Sequence, residues 1–228
     1  LYRPSTIDEL IAEHIYQRSM LAMSKNWYIG HLTEHFLPDE LFEELLDTLK
    51  KDTIQDEQNK IEEVRLRYLH ALTKKVLAES QTRVIFCREA IAQLVIEKEI
   101  NFFGYWVKLS LAQVKTYLRY LQSLCRNDED SLKIKLLSGR LVTDYQYEMT
   151  QCIFLSDSSS YLISKTENRK NNLALFNHPD MMTVFEEFFQ SIWEVQDERC
   201  QSEPEAQQRF FDHMIHNTEI QTDISFSF

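Results

Sequence analysis

Three glycines and four prolines in 228 residues leave this chain few places to reverse direction sharply. Tight turns draw on glycine for positive φ and on proline for a preset φ. That scarcity disfavours an all-β fold with many hairpins and the glycine-rich loops that cradle phosphates, so long helices are expected. With 43% hydrophobic residues the chain can build a core, and its length suits one large domain or two small ones.

The formal net charge of −11 argues against this segment gripping DNA or RNA by itself, because phosphate neutralisation needs clustered Lys and Arg. DNA enters as a partner only through a segment upstream of Leu1, and the lack of an initial Met leads us to expect such a segment. Cys87, Cys125, Cys152 and Cys200 form no C-x(2)-C pair and have no His at ligand spacing, so no structural zinc is expected. Cys87 and Cys152 lie in apolar runs and read as buried thiols, which points to a reducing compartment, the cytoplasm. No stretch approaches the roughly 18 apolar residues that span a bilayer, no signal peptide is visible, and no membrane partner is expected.

Periodicity orders the chain. Ser5 or Thr6 starts a helix to about residue 25, and Pro38-Asp39-Glu40 opens a second one that buries Leu41, Phe42, Leu45, Leu46 and Leu49. Residues 27–37 read as a short helix or packed connection. Residues 54–80 are helical and highly charged, either a solvated helix packed on its own domain or a dimer seam. Residues 82–87 are β-branched and aromatic and read as a buried strand, followed by a helix over 88–97. After the aromatic stretch at 100–109, Ser110 caps a helix with the stripe Leu111, Val114, Leu118, Leu121 and Leu124. Residues 132–137 alternate as a strand, and the runs 151–155 and 161–163 around a polar turn make a hairpin. Residues 173–176 are a further strand. His178-Pro179-Asp180 then launches a helix with Phe185, Phe188, Phe189, Ile192 and Trp193 buried. Pro204-Glu205 opens the last helix, and 218–228 is a tail or an added strand. The fold class expected is α/β (α+β), a helical N-terminal region followed by a mixed sheet covered by helices.

Between Thr150 and Asn168 stands T-x-C-x(4)-D-x(6)-S-K-x(2)-N, which resembles the phospholipase D superfamily motif H-x-K-x(4)-D-x(6)-G-S-x(2)-N. Asp157 and Asn168 are kept. Thr150 replaces the His that attacks phosphorus in that family, and Cys152 replaces the Lys that neutralises the phosphoryl oxygens, so no catalytic residue and no cofactor are expected. The order of elements over residues 72–194 is similar to one half of that fold. Three parts are expected: a helical region with a long connecting helix over 1–80, which has no counterpart in that family, a degenerate phospholipase D-like α/β domain over 81–200, and a C-terminal helix and tail over 201–228. Two halves of that fold normally meet across a two-fold axis, which implies a homodimer. The resemblance also implies a helix-turn-helix regulator of bacteria or archaea, in which a degenerate copy of this domain senses a small ligand or dimerises.

Within that resemblance Arg88, Thr150, Cys152, Asp157 and Asn168 are the candidate ligand-binding residues, lining a relic cleft that accepts a metabolite. The default reading makes Asp157 and Asn168 turn residues and Arg88 a surface residue. Phe102, Phe103, Tyr105 and Trp106 form a dimer or partner surface, or else core. His31-x(3)-His35 lacks the H-E-x-x-H order and a third ligand, so no metal is expected. The function expected is a non-catalytic dimerisation and ligand-sensing module of a bacterial transcription regulator. The alternatives are a helical protein- or peptide-interaction module unrelated to phospholipase D, and a residual phosphodiesterase.

Overall fold

The computed structural model describes residues 25–30, 36–53, 62–68, 70–71, 74, 81–102, 105–126, 132–138, 151–156, 159–165, 171–176, 178–195, 200–201 and 203–225. Its strands are β1 (Lys25–Gly30), β2 (Gln81–Cys87), β3 (Glu99–Phe102), β4 (Tyr105–Lys108), β5 (Leu132–Leu137), β6 (Gln151–Ser156), β7 (Ser159–Lys165), β8 (Asn171–Phe176) and β9 (Cys200–Gln201). Its helices are α1 (Asp39–Thr53), α3 (Arg88–Glu97), α4 (Leu111–Cys125), α5 (Pro179–Trp193) and α6 (Pro204–Ser225), with helical residues at 62–68, 70–71 and 74 as α2.

Seven strands make one mixed sheet in the order β8-β7-β6-β1-β2-β5-β9, and β3 and β4 pair separately. Strand β1 runs parallel to β2, and β2 parallel to β5. The meander β6, β7 and β8 continues the sheet antiparallel on the far side of β1. The chain is therefore α/β with a mixed sheet, as its pattern predicts. The sheet recruits residues 25–30 into its interior, where a short helix or packed connection is expected from residue 27 onward. Asn26 to Ile29 pair with both β2 and β6. That two-sided backbone pairing, which the local sequence does not encode, makes the segment a strand.

Alternation divides the sheet's two faces. On one face Val84 and Phe86 of β2 and Leu132, Ile134 and Leu136 of β5 join a core completed by α1, α3, α4 and α6. Phe42, Phe102, Tyr117 and Phe211 are fully buried there, and each such side chain contributes roughly 1.5–3 kcal/mol by leaving water. Ser110 caps α4 with a full capping box shared with Gln113, satisfying two otherwise orphaned donors. Helix α3 ends on Lys98 in the left-handed region, φ 54° and ψ 41°, a position where this glycine-poor chain spends a lysine. The opposite face buries Ile85, Cys87 and Leu137 and receives Phe189 and Ile192 of α5.

Helix α6 runs on to Ser225 where a tail or added strand is expected from residue 218. It packs against α4, where Gln122 Nε2 donates to Asp212 Oδ1 at 2.8 Å. Its Gln207 donates to the backbone carbonyl of Ile134 at 2.8 Å. The helix expected over residues 5–25 lies, up to residue 24, outside the described residues.

Candidate functional site

Helix α5 crosses the second face of the sheet and leaves a groove of about 650 Å³ beside the start of β2, lined by Gln81, Arg83, Thr183, Glu186, Glu187, Gln190, Ser191 and Glu194. Strand alternation places Arg83 on this face together with Ile85, and Lys135 lies opposite Ile85 on β5. Both cations meet Trp193. The Arg83 guanidinium carbon is 5.4 Å from the indole centroid and Lys135 Nζ is 5.0 Å from it, while Phe189 stacks on the ring at 5.8 Å. Lys135 also donates to the Trp193 carbonyl, a natural partner for an ammonium at a helix C-terminus.

Polar side chains hold this arrangement in register. Arg83 Nη1 donates to Gln190 Oε1 at 3.3 Å, and Gln190 Nε2 donates to Glu194 Oε1 at 2.5 Å. The groove thus has a single cation, Arg83, held against the Trp193 ring, and a lining otherwise of carboxylates, amides and hydroxyls. Such a mixture presents hydrogen-bond donors, acceptors and charge of both signs.

Of the residues singled out from the sequence, none of the described ones lines this groove. Arg88, half-buried, is the first residue of α3 at the C-terminal end of β2, roughly 20 Å along the strand from Gln81. Beside it Ser138 donates to Glu89 Oε1 at 3.1 Å, which ties the first turn of α3 to the end of β5. The motif-bearing segment folds as the β6–β7 pair, with Cys152 opposite Ile163 and Gln151 opposite Ser164. Cys152 and Ser164 are therefore brought onto adjacent strands, whereas Ser156, which precedes Asp157, stands at the far end of β6. Thr150, Asp157, Asn168 and Phe103 lie outside the described residues, as do His31 and His35. Phe102 is fully buried against Phe42, ring centroids 5.5 Å apart, so it belongs to the core and cannot present a partner surface. Trp106 is half-buried on β4, the strand that also holds Tyr105. Among the described residues no group of three His, Cys, Asp or Glu is placed to hold a metal ion, and no helix is long and apolar enough to cross a membrane.

Sequence reasoning missed the groove because its lining reads as ordinary solvated helix surface. The one available signal was a basic residue at an inward-facing position of each buried strand, Arg83 and Lys135.

A second polar cluster joins α1 to α2. His70 is buried, its ring stacked on Phe42 at 4.0 Å and 7°. Its Nε2–H donates to Asp39 Oδ1 at 2.8 Å, and Lys74 Nζ is 3.1 Å from the same oxygen. Burial holds His70 below its ordinary value, outweighing the pull of the Asp39 carboxylate. The bond from His70, with help from Lys74, holds the Asp39 carboxyl below its own ordinary value.

No family model matches this chain. No curated protein matches it either. Among solved structures it is similar to that of TrmBL2, an archaeal chromatin protein whose structure shows a novel mode of DNA binding, with a TM-score of 0.41 and 8% identity over 82% of this chain and 50% of that one. The chain thus spans half the length of that neighbour, and a likeness at this score carries no argument about function.

Proposed function

We propose that this chain is a non-catalytic module of a transcription regulator, pairing with a second copy and responding to a small polar ligand. The observation that carries this reading is the fate of the phosphodiesterase-like motif. Its segment forms the paired strands β6 and β7, and in its sequence Thr150 and Cys152 stand where a His nucleophile and a phosphate-neutralising Lys would be needed. The acidic net charge of −11 supports a role apart from the DNA-gripping surface, which the regulator would carry in other residues. The groove beside α5 supplies a volume and a polar lining of the kind that holds a metabolite.

Thermal unfolding against a panel of small polar metabolites tests the ligand response. A ligand at about 100 times its Kd stabilises the fold by about 2.7 kcal/mol, and Arg83→Met should abolish the shift while leaving the unliganded midpoint within a few degrees. A panel without any shift, together with hydrolysis of bis(p-nitrophenyl) phosphate that disappears in a His→Ala variant, would sink the proposal and favour an enzyme.

A further inference from the structure

We propose that the outer edge of β8 is the surface through which two copies of this chain join, β8 against β8 and antiparallel, so that the two sheets become one. The inference rests on the pairing reading above and specifies its location.

The two ends of the seven-stranded sheet are treated differently. At one end β9 is two residues long and covers only Leu136 and Leu137 of β5. Further along β5, Gln207, which is 1% exposed, donates to the carbonyl of Ile134. That end is closed by a short strand and a side-chain surrogate, both recognised ways of blunting an edge. At the other end β8 is six residues long and pairs with β7 along its whole length. Among the described residues no strand lies on its outer side. Its sequence, Asn171-Asn-Leu-Ala-Leu-Phe176, has no charged residue and no proline, the devices that normally keep an open edge from recruiting another strand.

Charge decides which partner this edge fits. With 36 acidic against 25 basic residues, two copies repel each other overall, so a self-docking face must itself be free of like charge. A two-fold contact through β8 places no ionisable side chain of the strand opposite its own image. The helix that follows, α5, packs on β6 and β7 and leaves Met181 37% and Val184 55% exposed.

Geometry then fixes the register to one of few. An antiparallel two-fold contact has its axis normal to the sheet, which keeps each face on its own side, so the axis must pass through a residue rather than between two. Centring it on Ala174 sets Leu173 of one copy opposite Leu175 of the other, and Ala174 opposite itself.

Sedimentation of the full chain, alone and as Ala174→Lys and Ala174→Glu, tests the contact. The unaltered chain should be dimeric at ~10 µM, each variant alone should dissociate at least about tenfold more readily, and an equimolar mixture should recover pairing as a heterodimer. If the unaltered chain is dimeric and both variants remain so, or the mixture fails to recover, the β8 contact is wrong while pairing itself stands. A monomer at ~100 µM overturns both. Should either variant misfold, amide exchange of the unaltered chain decides the matter: β8 amides must be more protected at high than at low concentration, and equal protection overturns the contact.

Discussion

His70 and Asp39 are joined through Nε2–H and Oδ1 at 2.8 Å, and the other ring nitrogen of the same imidazole, Nδ1, is buried with no hydrogen-bond partner among the described residues. The neutral tautomer with its proton on Nε2 satisfies this site. A second proton would fall on Nδ1, and burial, with the charge of Lys74, disfavours it there.

Stability should therefore fall with acidification in a defined window. His70 has a folded value below its unfolded one, so its contribution is complete above about pH 6.5 and is lost as the pH drops from there toward the lowered folded value. Urea midpoints measured from pH 8 to pH 5 should decline over that range, and His70→Leu should flatten the decline. Asp39 is also lowered and acts separately. Its contribution is present above its unfolded value and is lost at still lower pH, weakly because its side chain is 76% exposed.

Lys98 holds φ 54° at the end of α3 while its N–H donates to Leu94 and its carbonyl accepts from Leu109 at 2.7 Å. The backbone bonds need the left-handed conformation but not the side chain. Lys98→Gly should stabilise the protein by about 1 kcal/mol, the steric relief exceeding the added chain entropy. Thermal unfolding checks this; a loss of stability would show that the Lys98 side chain contributes more than the strain costs.

Gln207→Leu keeps the volume and removes the donor to the Ile134 carbonyl. A buried acceptor left unpaired costs about 1–3 kcal/mol, so the variant should unfold at correspondingly lower urea. Gln207→Glu should be worse at neutral pH, because a carboxylate would face that carbonyl.

Burial pushes the Cys125 thiol up to about 12, and Cys87 is 3% exposed. Neither thiol should be an available nucleophile in the folded protein. Peptide mapping after iodoacetamide treatment at pH 8 should find both unmodified without denaturant and fully modified with it. Rapid labelling of Cys125 in the native protein would show that α4 and α6 separate readily.

The sequence makes some of this architecture plain and hides the rest for identifiable reasons. Strands β2 and β5 announce themselves because Val84, Phe86, Ile134 and Leu136 alternate into a core, and Ser110 declares the start of α4 because its hydroxyl competes for an orphan amide. The hairpin β6–β7 shows as two apolar runs about a polar turn. Strand β1, Lys25-Asn-Trp-Tyr-Ile-Gly30, has no such alternation, and its identity depends on neighbours far along the chain. Phe102 reads from the sequence as either partner surface or core, because nothing in residues 100–109 reveals that Phe42 lies against it. The groove stayed hidden because Glu186, Glu187, Gln190 and Glu194 have the spacing of a solvated helix face, and their enclosure depends on Arg83 coming from another element.

The position of β1 also sets an order of events as the chain is made. One of its neighbours begins at Gln81 and the other only at Gln151, so loop closure must precede both pairings and the sheet depends on contacts remote in sequence. On a ribosome, β1 and β2 can meet long before β6 emerges, leaving β1 with a bare flank during synthesis. The nascent protein is consequently most vulnerable to association in that interval, and a pause placed before residue 151 would lengthen it.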